Sequence, residues 1–318
     1  MYEDLKNLEA KYEIKDFPLN VLVETGNYCN LNCTTCSNDK LTRKRGYMNT
    51  LLYRKIIDEI AVKNPYARVW LDYFGEPMLS KFKIYYMADY AKKKGLKSIN
   101  INTNGTLITE EMAEMLLDSG IDFISIDCDG FTKEVYEKIR VGADRDVVYK
   151  NIEYLLRRKY ERGLDNIKIE VKIMEMEENK DEIDTVMNYW RERGAWTTKR
   201  RLISWGGSVE NIVLNSDCER IACGYGIGIC GITWEGEVVN CSCDVDASVV
   251  WGNVNENSIE EIWKKRNKEM VKYHMSHEFD KLPEICQNCK DWMIVGEERF
   301  DENGNPIIKN YKHEEKML

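Results

Sequence analysis

Apolar and polar positions alternate in blocks along the first two thirds of the chain. Short runs rich in apolar residues, at Leu19–Glu24, Arg68–Tyr73, Ser98–Asn102, Asp122–Asp127, Ile167–Ile173 and Lys199–Ile203, have the length and make-up of strands. Longer stretches with apolar residues every three or four positions predict helices between them, at Leu51–Val62, Phe82–Lys94, Glu110–Asp118, Thr132–Ile139, Arg145–Arg162 and Asp181–Arg193. The fifth is the clearest: Val148, Ile152, Leu155 and Leu156 share one face, and Gly163 is placed to end it. Gly95, Gly120 and Gly194 stand at similar helix ends. Six strand–helix units in series predict an α/β fold, a parallel sheet with right-handed crossovers. In barrels of such units, function gathers at the C-terminal ends of the strands.

The ends of the chain read differently. Residues 1–17 predict a short charged helix stopped near Pro18. Near Trp205-Gly206-Gly207 the strand–helix rhythm ceases, and glycines and cysteines cluster beyond it. The turn signal Asp301-Glu302-Asn303-Gly304-Asn305-Pro306 marks a polar tail. The expected division is therefore 1–17, 18–204, 205–292 and 293–318.

Composition narrows the partners. Hydrophobic residues make up 43% of 318, enough for a sizeable core. The net charge of −9 comes with no basic block, so nucleic acid is not expected as a partner, and an acidic surface disfavours anionic membranes. No apolar run reaches membrane-spanning length. The N-terminal segment lacks the apolar stretch of a signal peptide. A cytoplasmic location follows, and there eleven cysteines argue for metal or catalysis rather than disulfides.

Cys29, Cys33 and Cys36 stand in NYCNLNCTTC, directly after the first predicted strand. Three thiolates this close can hold three irons of a [4Fe–4S] cluster and leave the fourth iron open for chemistry. Zinc is the alternative, but it favours a closed set of four ligands, and no fourth Cys or His lies between Cys36 and Cys128. After the second strand comes Phe74-Gly75-Glu76-Pro77, in isolation an ordinary turn, whose Glu76 can accept hydrogen bonds from an ammonium group. The third strand runs into Asn102-Thr103-Asn104-Gly105, which reads equally as an Asn-Gly turn. In the fourth, Ser125 and Asp127 alternate with Ile124 and Ile126 and so share a face; Asp127 or Asp129 could instead cap the helix near Thr132. Beyond residue 204, Cys223, Gly236 and Cys241 follow the pattern C-x12-G-x4-C, and Cys286 and Cys289 form C-x2-C. A four-cysteine zinc ribbon, or zinc held with help from His274 and His277, is one reading of these.

Together these motifs resemble the radical S-adenosylmethionine (radical SAM) superfamily over residues 17–204, and its Twitch/SPASM auxiliary-cluster domain over 215–292. The resemblance implies a partial (β/α)6 barrel of parallel strands followed by a small Cys-rich Twitch/SPASM-like domain. It also implies two [4Fe–4S] clusters and S-adenosyl-L-methionine as cofactors. In that family the open iron, here the one left by Cys29, Cys33 and Cys36, chelates the amino and carboxylate groups of SAM, whose reductive cleavage gives a 5′-deoxyadenosyl radical. Gly75 and Glu76 match a GGEP-like motif that receives the SAM ammonium, with Phe74 in place of the first glycine. Asn104 matches a T-N-G element near SAM, and Ser125 and Asp127 stand where polar groups hold the ribose. Arg140, in YEKIRVG, matches a family pattern without an assigned role. Thr35 replaces the aromatic residue many relatives carry before the third cysteine. The auxiliary ligands implied are Cys223, Cys241, Cys286 and Cys289.

For the reaction, the resemblance points to sugar and aminocyclitol dehydrogenases of natural product biosynthesis. A hydrogen atom is taken from a carbon of a small polar substrate, which is oxidised to a ketone through the auxiliary cluster. A flavodoxin- or ferredoxin-type reductant is the implied electron source. Epimerases of the family return a hydrogen from a cysteine; Cys128, Cys218, Cys230 and Cys243 are left over, and Cys243 and Cys128 are the candidate donors, with Cys243 also a candidate ligand. Peptide-modifying relatives commonly carry an N-terminal recognition domain, for which the residues before the barrel are too few. A non-catalytic Fe–S electron-transfer protein is the remaining alternative.

Overall fold

A computed structural model of the chain describes residues 9–294 apart from 11, 81 and 210–218. Six parallel strands form the partial (β/α)6 barrel: β1 (Asn20–Val23), β2 (Arg68–Trp70), β3 (Ser98–Thr103), β4 (Phe123–Asp127), β5 (Lys168–Glu175) and β6 (Trp196–Arg201). The helices that return the chain are α1 (Thr50–Lys63), α2 (Phe82–Lys93), α3 (Glu110–Asp118), α4 (Lys133–Ile139), α5 (Arg145–Glu161) and α6 (Ile183–Arg191). Side-chain caps start four of them where orphan N–H groups need acceptors: Asn49, Thr109, Thr132 and Asp144 each accept from the first turn. Alternation along each strand sends one set of side chains to the helices and the other to the barrel interior. Ile124, Ile126 and Cys128 join the apolar layer beneath the helices. On the opposite face Phe123 packs edge-on against Trp70, centroids 5.8 Å apart, inside the barrel.

Three expectations need correction. The sixth strand starts at Trp196, not Lys199, because Thr197 and Thr198 are both buried, Thr198 on the inward side bonded to Glu170 and Thr197 on the helix side; the charged Lys199–Arg201 end it. Residues 12–17 are irregular rather than helical; the Lys15 carbonyl there takes hydrogen bonds from Trp263 and Asn267. The Cys-rich segment does not stand apart from the barrel sheet. Strand β7 (Ile229–Ile232) pairs in parallel with β1, then β8 (Glu237–Val239) and β9 (Val250–Asn253) follow antiparallel. The described residues thus form one nine-stranded sheet in the order β6-β5-β4-β3-β2-β1-β7-β8-β9. Residues 1–8, the expected tail beyond 294 and Cys218 lie outside the described residues. No described helix is long and apolar enough to cross a membrane.

Candidate active site

The loop after β1 carries Cys29, Cys33 and Cys36, all three lining a cavity of about 310 Å³ at the C-terminal ends of the strands. Each thiol meets N–H donors. The Asn38 N–H approaches Cys36 Sγ at 3.4 Å, Arg140 Nη1 approaches Cys33 Sγ at 3.7 Å, and Asn104 Nδ2 lies 4.0 Å from Cys29 Sγ. Burial pushes all three thiols up, Cys36 to about 12, so their thiolates need a cation for company.

The turn after β2 is built onto this loop. Gly75 sits at φ +125°, and the Glu76 N–H donates to the Tyr28 carbonyl at 2.8 Å. The Glu76 carboxylate, 4% exposed, accepts from Thr103 Oγ1 (2.7 Å), Asn104 N (2.8 Å) and Met78 N (3.0 Å). Desolvation pushes it up to about 7 against those three donors. A carboxylate offers about four acceptor positions, so one remains for a cationic donor from the cavity. Asn104 turns back to Asn30 (3.0 Å) beside Cys29.

Deeper in the barrel, a polar chain crosses four strands. Asp72 accepts from the N–H and Nδ2 of Asn102, both at 2.8 Å; the Asn102 oxygen accepts from Lys172 (3.2 Å), and Lys172 pairs with Asp127 (2.8 Å). Arg140 reaches both Asp127 (3.4 Å) and Asp129, whose other oxygen takes the Met174 N–H at 2.7 Å. Burial alone would raise the Asp127 pKa, but Lys172 and Arg140 overcome it and hold the carboxyl below the usual range. At Asp72 desolvation outweighs the Asn102 hydrogen bonds and the more weakly acting Lys172, and pushes the carboxyl up to about 6.

Sequence-derived candidates divide accordingly. Gly75, Glu76, Asn104 and Asp127 line the cavity with the three cysteines. Ser125 shares the inward face but is fully buried and donates to Glu170, so it is not among the lining residues. Cys128 is fully buried on the helix side, in the core with Tyr149 and Trp190, and does not reach the cavity. Arg140, Lys172 and Asp72 escaped the sequence reading as site residues. Trp205 was noticed only as a boundary marker. Its Nε1 donates to the Thr35 carbonyl (2.8 Å) and its ring packs on Phe74, centroids 5.2 Å apart. An aromatic wall beside the third cysteine therefore comes from residue 205 rather than residue 35.

A second cysteine group lies beyond this wall. Cys223, Cys241, Cys243, Cys286 and Cys289 surround one small cavity together with His274. Cys241 Sγ accepts from the Cys243 N–H (3.3 Å), Cys289 Sγ from the Asp291 N–H (3.3 Å) and Cys286 Sγ from Asn240 Nδ2 (2.9 Å). Cys243 is 2% exposed and also hydrogen-bonds through its own thiol to Cys241, which lowers the Cys241 pKa and raises its own. It does not open into the larger cavity. His274 is buried in the wall, whereas His277 is half exposed and pairs with Glu9. Among the described residues no three His, Cys, Asp or Glu side chains close on a single-ion site; thiols supplied with N–H donors are the kind of ligand an iron–sulfur cluster takes. The two sites are tied together. The Tyr73 hydroxyl donates to the Cys241 and Asp244 carbonyls (3.0 and 2.8 Å), and Asp291 holds the Ser204 and Gly206 N–H groups (2.6 and 3.0 Å) on either side of Trp205.

Comparison with known proteins agrees with this arrangement. The model of the Radical SAM superfamily matches residues 23–189, and that of SPASM, an iron-sulfur cluster-binding domain, matches 223–290. The S-adenosyl-L-methionine-dependent 2-deoxy-scyllo-inosamine dehydrogenase of Niallia circulans is 22% identical over 284 residues, 88% of this chain and 95% of that protein. The crystal structure of BtrN in complex with AdoMet and 2-DOIA superposes with a TM-score of 0.62 at 21% identity, over 87% of this chain and 94% of BtrN. Streptococcus suis SuiB bound to precursor peptide SuiA superposes with a TM-score of 0.64 at 15% identity, over 82% of this chain and 67% of SuiB.

Proposed function

The chain belongs to the radical SAM superfamily, whose model spans more than half of it, and we propose that it oxidises a carbinol of a small polyol, sugar or aminocyclitol to a ketone. It is an enzyme with S-adenosyl-L-methionine and iron–sulfur clusters as cofactors. The residues suited to hold the groups are Cys29, Cys33 and Cys36 for the open cluster, and Cys223, Cys241, Cys286 and Cys289 for the closed one. When bound, these groups supply the electron that cleaves SAM to methionine and a 5′-deoxyadenosyl radical, which takes the carbinol hydrogen atom, and an acceptor for the electron that leaves with a proton as the carbonyl forms.

The observation that carries the reading is the lining of the large cavity. From the three cysteines it passes over Asp72, Asn102, Asp127 and Lys172 to Trp205, Tyr225 and Ser242 of the Cys-rich segment. Such a wall offers hydrogen bonds to several hydroxyl or amino groups at once. Glu76 supplies the acceptor for the SAM ammonium. In Glu76→Gln that acceptor loses its charge, and the half-saturating SAM concentration is expected to rise by about tenfold or more, the weight of a charge-assisted hydrogen bond. Isothermal binding of SAM to the iron-loaded variant checks this, and unchanged affinity would remove Glu76 from the site.

Dehydrogenation is favoured over epimerisation because neither Cys128 nor Cys243 lines this cavity, whose described cysteines are only the three of the first loop. The deciding experiment supplies loaded enzyme, SAM and a reductant with carbon-deuterated polyols and aminocyclitols. Deuterium in 5′-deoxyadenosine, with one carbonyl product per molecule, is the expected result, unchanged in Cys128→Ala and Cys243→Ala. A product of inverted configuration with solvent hydrogen at the labelled carbon would replace oxidation by epimerisation.

A further inference from the structure

Arg266 is completely buried, at the end of the helix Ile259–Arg266. Its Nε and Nη2 donate to the Asn240 carbonyl at 3.2 and 2.8 Å, Nη2 also donates to the Gly226 carbonyl, and the Trp263 ring lies 4.5 Å from the guanidinium carbon. Nη1 has no partner, and no carboxylate among the described residues pairs with the group. Its charge interacts electrostatically with the sulfurs of Cys230, Cys241, Cys286 and Cys223. Burial pushes the guanidinium down to about 10, which leaves it cationic at neutral pH. A buried cation of this kind is unfavourable unless an anion neutralises it.

The wall of the cysteine cavity holds a further donor without an acceptor. His274 is 1% exposed, and its Nδ1 accepts the Cys223 N–H at 3.4 Å. The ring proton therefore resides on Nε2, which has no partner either. His274 lines the cavity of Cys223, Cys241, Cys286 and Cys289, as does Arg220, whose Nε also lacks a partner; Arg266 stands behind that lining, held through the Asn240 and Gly226 carbonyls. The two carbonyls that hold Arg266 belong to that cavity's own frame: Asn240 precedes Cys241 and donates to Cys286 Sγ, and Gly226 lies three residues after Cys223.

We propose that Arg266 is the built-in counter-cation of the second cluster, raising its reduction potential so that it takes up the electron released on substrate oxidation. The inference rests on the cluster assignment made above for this site. A cluster in four thiolates is negative and becomes more so by one charge on reduction, so a fixed cation in a dry site favours the reduced form.

The test is a potentiometric titration of the anaerobically reconstituted enzyme, following by electron paramagnetic resonance the cluster signal that added SAM does not perturb. Arg266→Gln keeps a donor for the carbonyls and removes the charge. Its midpoint is expected to fall by at least a tenfold shift in the one-electron equilibrium, 59 mV, while Arg266→Lys stays near the parent. A Gln variant with about eight irons and an unmoved midpoint overturns the proposal. If the Gln variant fails to hold the second cluster, Arg266→Lys decides: normal loading and midpoint support a role for the charge, and equal failure assigns Arg266 to structure and overturns it. A parent enzyme with only about four irons and no second signal overturns the cluster assignment itself.

Discussion

Alanine at Cys29, Cys33 and Cys36 together is expected to lower iron from about eight to about four per chain and to reduce SAM cleavage to background. The three thiols line the large cavity and are the donors proposed for iron, and the Asn104, Arg140 and Asn38 N–H groups that surround them have no metal-binding capacity of their own. No neighbouring cysteine can substitute: Cys128 is locked in the core, and the second group lies behind Trp205 and Phe74. Alanine at Cys223, Cys241, Cys286 and Cys289 should do the reverse, sparing SAM cleavage and abolishing ketone formation. Iron analysis and 5′-deoxyadenosine yield on both variants form the check. Cleavage that survives the first set would end the assignment of the open cluster, and four irons reduced to none in that set would leave oxidation without an acceptor.

Much of this was legible because the carriers are local. Cys29, Cys33 and Cys36 fall within eight residues, Gly75-Glu76 follows its strand directly, and five of the six barrel strands lie where apolar runs placed them. What the sequence hid are contacts across long separations. Arg140 reads as the end of a charged helix, yet its guanidinium lies beside Cys33, 107 residues away. Lys172 and Asp72 are ordinary polar residues of their strands until Asn102 and Asp127 from two others link them. Arg266 follows Lys264 and Lys265 and looks like another base favouring a helix C-terminus; only its complete burial against the Asn240 and Gly226 carbonyls distinguishes it. The two candidate hydrogen donors lie away from the large cavity for the same reason in reverse. Position near a strand end or a ligand suggested exposure to substrate, and packing put Cys128 under the helices and Cys243 behind Cys241. The joining of β7 to β1 had no local signal, since parallel pairing over some 200 residues leaves none.

Gly75→Ala is expected to lose SAM cleavage by about a hundredfold or more, whereas Gly95→Ala keeps it. Both glycines have positive φ, +125° and +95°, so both variants carry backbone strain of about 1–3 kcal/mol. At Gly95 an added Cβ meets nothing within 4 Å. At Gly75 it would lie 2.6 Å from the Gly26 carbonyl oxygen and 2.9 Å from both Asn27 Cα and the Tyr28 oxygen, all backbone that no rotamer change can clear. That backbone is itself pinned, since the Asn27 side chain donates to the Lys44 carbonyl and accepts from the Gly46 N–H, each at 2.9 Å. Relief must come from the turn, which carries Glu76 away from Thr103 and Asn104, or from the loop, which shifts Cys29. Overpacking adds about 1–3 kcal/mol to the strain, and a displacement near 1 Å in a positioning group costs about a hundredfold in rate. Urea unfolding of the apoproteins should therefore place Gly75→Ala below Gly95→Ala in stability, and SAM cleavage should separate them far more. Equal behaviour of the two variants in both measurements would mean that the turn does not position the site, and Glu76 would lose its role with it.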